Sequence, residues 1–210
     1  MRIPSSEHLT LDLRVHELLP DFRLEDVWRL PEVVGTAEEF DDAIAMTLTA
    51  EPGRGGNVPS RFLWWARDAL GRWFGLGEVH DADPSGGLAI PGDTASSIVP
   101  RLPADLRGTV DGMRHEHLPF TPVYRTATEY AAEISNRTVH GVLHLAWVER
   151  PDGLFQGQMA VYVKPRGRFG HAYMAFIKPF RYLVVYPAME RQVARDWASR
   201  VSRGPRPRAS

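Results

Sequence analysis

The chain has 210 residues, of which 43% are hydrophobic and 10% aromatic, and this predicts one globular domain over residues 1–202 with a core of its own. It has no cysteine, no run of about 18 apolar residues and no signal-peptide pattern in its acidic first 21 residues. This excludes disulfides and thiolate sites, predicts no transmembrane segment, and makes the cytoplasm the expected location. The net charge is −1, but residues 1–50 hold 4 basic and 11 acidic side chains, whereas residues 164–210 hold 11 and 2. We attribute the basic end to a helix terminus and a disordered tail over residues 203–210, and expect no nucleic-acid partner.

The first fifty residues predict one strand and one short helix after a lead-in over residues 1–9. Apolar and charged residues mix over 22–30 in a pattern that predicts an amphipathic strand, which we expect to end at Pro31. Thr36-Ala-Glu-Glu39 has the spacing of a capping box, and apolar residues follow at every fourth position. A short amphipathic helix is therefore predicted over residues 37–49.

The middle of the chain combines a tryptophan-rich helix with extended segments. Residues 61–74 have helical periodicity, and Trp64 and Trp65 widen the apolar surface of this predicted helix. The tryptophans have two interpretations, namely core packing or a hydrophobic gate over a pocket. Residues 96–125 contain four prolines and predict two strands.

The last third of the chain predicts hairpins followed by a helix. Residues 139–148 and 155–163 are predicted strands, joined by the turn Pro151-Asp-Gly153. Residues 126–134 are ambiguous, because Thr126 and Glu129 have capping-box spacing and the apolar residues that follow have helical spacing. The turn-forming residues at 135–138 favour a strand there. From Arg168 the apolar residues fall on one helix face, which predicts a helix to about Val201. Two prolines, Pro179 and Pro187, are expected to kink or restart it.

Three strings in this region carry a resemblance to a known family. They are Glu133-Ile-Ser-Asn-Arg-Thr-Val-His140, Gly157-Gln-Met-Ala-Val-Tyr-Val-Lys164-Pro, and Ile177-Lys-Pro-Phe-Arg181 with Val185-Tyr-Pro187. From Leu11 to Trp197 the chain resembles the family of domain of unknown function 2867. Its layout is also similar to the START-like, helix-grip superfamily (SRPBCC), which includes polyketide cyclases, aromatases, lipid-transfer proteins and hormone receptors. The resemblance implies an α+β fold in which an antiparallel sheet wraps around a long C-terminal helix and a hydrophobic cavity.

Strand alternation puts a set of polar side chains on one face of the predicted sheet. His140 and His144 share a face of the 139–148 strand, and Gln158 and Tyr162 share a face of the next one. The opposite face of both strands is apolar. The polar face has two interpretations, because it is either the solvent side of the sheet or the lining of a ligand pocket.

In the second interpretation His140 is the general acid or base, since the pKa of an ordinary histidine suits proton transfer at neutral pH. Tyr162 or Tyr124 would polarise a carbonyl and Glu133 would orient a histidine, which suits cyclisation, dehydration or isomerisation of a polyketide-like compound. The predicted catalytic residues are therefore His140, Tyr162 and Glu133, and the predicted ligand-binding residues are His144, Gln158, Tyr124, Trp65, Tyr173, Lys178 and Arg181. No metal site and no cofactor is predicted, because His115, His117 and the strand histidines match no known metal-ligand spacing.

The leading hypothesis is thus a domain that binds a small apolar or carbonyl-containing ligand, with or without catalysis. The alternative is a non-catalytic module that docks a protein partner or an anionic membrane surface through its tryptophan helix and basic C-terminus. Lys178 and Arg181 lie one helical turn apart and fit two roles, either binding an anionic head group or pairing with Glu25 or Asp26. The oligomeric state is not predicted.

Overall fold

The structure, a computed structural model, describes residues 1–49, 97–116, 118, 120–135, 139–166 and 186–202. The described strands are β1 Arg23–Gly35, β2 Thr121–Arg125, β3 Glu129–Ser135, β4 Val139–Glu149 and β5 Phe155–Pro165. The described helices are α1 Ser5–Leu9, α2 Arg14–Leu18, α3 Phe40–Leu48 and α4 Tyr186–Val201. Short 3₁₀ turns occupy Ala37–Glu39, Val99–Arg101 and Ala104–Leu106. The five strands form one antiparallel sheet in the order β1-β5-β4-β3-β2, so the predicted α+β class is confirmed.

The predicted hairpins of the last third are confirmed. Strand β3 pairs with β4 over its full length, ending at Ser135, which lies opposite His140. Strands β4 and β5 pair along their full length. In the turn between β4 and β5 the Gly153 amide donates a hydrogen bond to the Arg150 carbonyl. Gly153 has a φ of 77°, which a residue without a side chain adopts at no steric cost.

Strand β1 does not end at Pro31 as predicted but continues to Gly35. Its register with β5 shifts between Arg29, which faces Gln158, and Val34, which faces Gln156. The extra residues form a bulge that contains Pro31. A proline is tolerated there because β1 is an edge strand of the described sheet and a bulge needs no ladder hydrogen bond from it. The predicted helix after it is confirmed, with the Thr36 amide donating to Glu39 Oε2 at 2.7 Å.

Two other predictions for the first 125 residues are wrong. Residues 96–125 do not hold two strands: their described part folds as two 3₁₀ turns and the single strand β2. Prolines with fixed φ and no amide donor favour such turns over a paired strand. The lead-in contains α1, and α2 follows it, although helices of five residues have no stability of their own. Packing against the sheet must therefore stabilise both of them.

The sheet is covered on both faces. Helices α3 and α4 cover the apolar face, where Phe40 and Trp197 lie against Trp147 with ring centroids 5.8 and 6.0 Å away. The other face is covered by α1, α2 and the segment 98–106, which place Val15, Leu18 and Ile98, among others, in a second cluster with strand residues. The core therefore has two layers, one on each side of the sheet.

The long C-terminal helix expected from Arg168 is not supported, because the described helix α4 begins at Tyr186. Pro187 is its second residue, where a proline without an amide donor removes no helix hydrogen bond. The predicted helix 61–74, the tail 203–210 and residues 167–185 lie outside the described residues. Among the helices that the structure describes, none is long and apolar enough to cross a membrane.

Candidate functional site

The polar face of the sheet is buried, so the interpretation of this face as the solvent side is wrong. His140 and His144 of β4 are 2% and 0% exposed, and Glu129 and Glu133 of β3 are 3% and 1% exposed. Buried carboxylates require partners, because an unpaired charge away from water is strongly unfavourable. The four side chains satisfy this requirement as two histidine–glutamate pairs.

The first pair joins His144 to Glu129. The His144 Nε2–H group donates to Glu129 Oε2 at 3.0 Å, and the Tyr124 hydroxyl donates to the same oxygen at 2.9 Å. The backbone amides of Arg14 and Val15 donate to the two oxygens of Glu129 at 2.8 and 3.2 Å. Since α2 begins at Arg14, the carboxylate supplies the N-terminal cap that Leu13 does not provide.

The second pair joins His140 to Glu133 in the same way. The His140 Nε2–H group donates to Glu133 Oε2 at 2.8 Å, and the Ile98 amide donates to that oxygen at 3.0 Å. The Ser97 hydroxyl donates to the other oxygen. Glu133 thus holds the start of the 3₁₀ turn Val99–Arg101, as Glu129 holds the start of α2. Glu133 thus contacts a histidine, while its expected role in orienting a catalytic histidine stays a prediction.

The two pairs repeat because the sheet register repeats. His144 faces Ala131 across the β3–β4 ladder, and His140 faces Ser135, so each histidine lies opposite the residue two positions after its glutamate. In antiparallel strands such diagonal neighbours are within reach of long side chains. A spacing of four residues on each strand then places both pairs on the same face of the sheet.

A third histidine comes from α1 and lies over β5. The His8 Nδ1–H group donates to Gln158 Oε1, and His8 Nε2 accepts from the Tyr162 hydroxyl, both at 3.1 Å. Both ring nitrogens are thereby used by the neutral imidazole. Burial, with the nearby ring of His144, lowers the pKa of His8 from 6.5 to about 4, although Gln158 opposes the shift. His8 is therefore neutral at neutral pH.

Two imidazole nitrogens in this cluster have no hydrogen-bond partner among the described residues, namely His144 Nδ1 and His16 Nε2. Both rings lie next to His8, with centroids 5.7 and 5.5 Å from it. Because His144 donates its Nε2–H to Glu129, its Nδ1 in the neutral ring is a lone pair that can accept a proton. Burial, with the nearby ring of His144, also lowers the pKa of His16.

The contact with His144 favours the ionised form of the Glu129 carboxylate. Burial alone would raise the pKa of Glu129, but hydrogen bonding and charge interaction with His144 outweigh it, so the pKa lies below its ordinary value. Burial, followed by the charge of Glu129, raises the pKa of Tyr124 and of Tyr162. Both tyrosines therefore keep their protons and act as hydrogen-bond donors.

The sequence-predicted residues divide into two groups. The structure brings six of them to this buried face of the sheet: His140, Tyr162, Glu133, His144, Gln158 and Tyr124. The other four, Trp65, Tyr173, Lys178 and Arg181, lie outside the described residues. The described part of the C-terminal helix contacts the opposite face, so the expectation that it lies across from His140 is not met by α4. The N-terminal helices take this place instead.

Sequence reasoning missed Glu129, His8 and His16. Glu129 carried a usable signal, because it has the same strand parity as Glu133 and so shares its face. The two N-terminal histidines carried none, since no periodic element placed them. His115 lies under the opposite face, where its Nε2 is 2.9 Å from the Tyr130 hydroxyl. Within the described residues no group of three or more histidine, aspartate or glutamate side chains could hold a metal ion.

The chain belongs to the family described as "Protein of unknown function (DUF2867)", whose model matches residues 18–188. The family resemblance carried by the strings in β3, β4 and β5 is thereby confirmed. The match contains Glu129, Glu133, His140 and His144, whereas His8 and His16 precede it. Comparisons with curated proteins and with solved structures gave no match.

Proposed function

We propose that the protein binds a small apolar, carbonyl-containing molecule against the histidine face of its sheet and acts on it by acid–base catalysis. The observation that carries the proposal is the state of His144. Its Nε2 is held by Glu129 at 3.0 Å, while its Nδ1 is buried and has no partner in the described part of the chain. An unsatisfied buried acceptor costs about 1–3 kcal/mol, so its persistence favours a use for that lone pair.

The chemistry follows from a base that is oriented by a carboxylate. His144 Nδ1 removes a proton from the carbon next to the ligand carbonyl, and Glu129 stabilises the imidazolium that forms. The Tyr162 hydroxyl, which keeps its proton, donates to the enolate oxygen. If the ligand has a conjugated double bond, return of the proton from His144 to the far end of the dienolate completes an isomerisation. If it has a hydroxyl on the β-carbon, His144 gives the proton to that hydroxyl, the C–O bond breaks as the enolate collapses, and water leaves in a dehydration.

His140 is the second candidate for the base, and it is the residue that the sequence favoured. Its Nε2 is held by Glu133 at 2.8 Å, and the edge of its ring lies 5.0 Å from the ring of Phe22. A START-like, helix-grip layout, which would place such a pair in a ligand cavity, belongs to the same proposal. The antiparallel sheet with a buried polar face and helices on both sides supports it.

The two candidate bases are distinguished by matched variants. Glutamine has an amide at the position of the imidazole Nε2, so His144→Gln and His140→Gln keep a donor to each glutamate and remove the base. The probe is 2-tetralone, a small aromatic ketone with acidic protons, and ¹H NMR in D₂O follows their exchange for deuterium. We expect the protein to accelerate exchange, His144→Gln to slow it roughly 100-fold or more, and His140→Gln to leave it unchanged.

The opposite pattern, with His140→Gln inactive, would transfer the role to the Glu133 pair. Exchange that neither variant slows would refute acid–base catalysis by this face. Ligand binding is tested separately, by native mass spectrometry of the full chain for a co-purified small molecule. The alternative function, docking a partner or an anionic membrane, depends on the tryptophan helix and the basic tail, which both lie outside the described residues.

A further inference from the structure

The N-terminal arm, defined here as residues 1–13, covers the candidate base. Its His8 ring lies 5.7 Å from the ring of His144 and uses the Tyr162 hydroxyl as its own donor. The arm therefore takes the hydrogen bond of the Tyr162 hydroxyl and places a ring beside His144, the two groups that a carbonyl ligand would use in the proposed mechanism. A ligand reaches His144 Nδ1 from this side only when His8 leaves.

The arm is held mainly by polar contacts, unlike the helix that follows it. Its buried side chains are Ile3 and His8, whereas Val15, Leu18 and Leu19 anchor α2 in the core. Further attachments lie at the edge of β1. They include backbone hydrogen bonds of Met1 and Ile3 with Arg29 and Val27, and the ion pairs of Glu7 with Arg29 and of Arg2 with Asp26. At the end of the arm Leu13 packs against the core. Loss of the His8 contacts removes the attachment of the arm over β4 and β5, while α2 stays in place.

We propose that the N-terminal arm is a gate over the Glu129–His144 pair and that protonation of His8 releases it. In its neutral form His8 donates from Nδ1 and accepts at Nε2. A second proton would turn Nε2 into a donor facing the Tyr162 hydroxyl, which would lose its acceptor. That release of the arm gives a ligand access to His144 rests on the proposed function. The release of the arm itself does not depend on that function.

Burial and the rings of His144 of β4 and His16 of α2 oppose the protonation of His8, whereas Gln158 of β5 and Glu129 of β3 favour it. Tyr162 of β5 donates to the His8 ring, Arg14 of α2 and Tyr124 of β2 donate to Glu129, and Asp12 of the arm acts on His16. Glu129 is the one carboxylate among the direct neighbours on the described elements. It already accepts from His144, Tyr124 and two backbone amides, so it is not available to His8.

The size of the effect follows from linkage. Release raises the pKa of His8 from about 4 in the docked arm to its ordinary value of 6.5. The ratio of released to docked arm therefore grows as pH falls from 6.5 towards 4, and between pH 7.5 and pH 5 it rises about 30-fold. Above about pH 7.5 the ratio is nearly constant.

Hydrogen–deuterium exchange of the full chain, measured by mass spectrometry at pH 7.5 and pH 5 with correction for intrinsic rates, tests the gate. We expect peptides from residues 1–13 to open about 30-fold more at pH 5, while peptides from β4 and β5 keep their protection. His8→Gln should abolish the response, because glutamine does not titrate. His16→Gln is the matched control and should keep it.

The proposal is overturned if the arm and the central strands lose protection together, or if His8→Gln retains the pH response. If the N-terminal arm of His8→Gln is already released at pH 7.5, the test is made on the wild-type chain. The midpoint of arm release must then coincide with the midpoint of the His8 ring titration by NMR, and a mismatch overturns the gate. If the arm is released at low pH but 2-tetralone shows no exchange that depends on His144, the proposed function is refuted and the gate stands. If 2-tetralone exchanges in a His144-dependent way but the arm is not released at low pH, the gate is refuted and the proposed function stands.

Discussion

Replacing Glu129 by glutamine tests whether one buried carboxylate connects the N-terminal helices to the sheet. Glu129 accepts four hydrogen bonds, from two backbone amides, a tyrosine hydroxyl and His144. Three of them converge on Oε2, so the best arrangement of a glutamine keeps its oxygen there and points its NH₂ group at the Arg14 amide. The Arg14 amide and the glutamine NH₂ group are both donors, so the hydrogen bond that Arg14 makes to Glu129 is lost.

The expected cost is about 2–4 kcal/mol. It combines one lost bond to a charged acceptor, about 1.5–3 kcal/mol, with weaker bonds from the three remaining donors to a neutral oxygen. This is a large part of the 5–15 kcal/mol that stabilises an ordinary domain. Urea denaturation followed by tryptophan fluorescence measures the difference, and an unchanged m-value would show that the folded and unfolded states are comparable.

Glu133→Gln is the matched control, since Glu133 accepts from His140, the Ser97 hydroxyl and the Ile98 amide. It should destabilise by a similar amount but leave the N-terminal arm and α2 protected from hydrogen exchange, whereas Glu129→Gln should expose them. A loss of less than about 0.5 kcal/mol for Glu129→Gln would refute the reasoning, because surface substitutions give changes of that size. Equal exposure of the N-terminal segment in both variants would also contradict it.

Two further predictions concern pH and the apolar face. The pKa of His8 is about 4 in the folded chain and 6.5 when exposed, so its contribution is fully present above pH 6.5 and is lost as pH falls towards 4, on the order of 3 kcal/mol. Denaturation curves from pH 7.5 to 4 check this, and His8→Gln should reduce the loss of stability over that range while His16 and His115, whose pKa values are also lowered, keep their share. Trp197→Ala should cost about 3–5 kcal/mol, because the side chain is buried against Trp147. The exposed neighbour Asp196→Ala should change the free energy of unfolding by less than about 0.5 kcal/mol, and equal effects of the two would contradict the packing of α4 on this face.

The sequence was most informative where local rules decide the structure. Turn residues and period-two alternation predicted β3, β4 and β5, and the same alternation put His140, His144, Gln158 and Tyr162 on one face. Alternation gives no information about what covers a face, because that depends on contacts between residues far apart in the chain. The polar face was for this reason open to two interpretations, and the covering helices were not predicted.

The N-terminal helices show why the rest was out of reach. Their five-residue length gives no periodic signal, and the cap of α2 comes from Glu129, 115 positions away in the chain. The continuation of β1 past Pro31 likewise depends on its position at the sheet edge. Such features require knowledge of the sheet order, which a single sequence does not contain.

The position of β1 has a consequence for the order in which a newly made chain can fold. Within the described sheet β1 pairs with β5 alone, and Arg23 meets Val163. At ribosomal rates of roughly 5–20 residues per second, β1 waits about 7–28 s for its partner to be synthesised. During this time its apolar residues Val27, Trp28 and Leu30 have no sheet to join, so we expect the nascent chain to expose them. The amide protection of α1 and α2 should then arise only after β5 has left the ribosome.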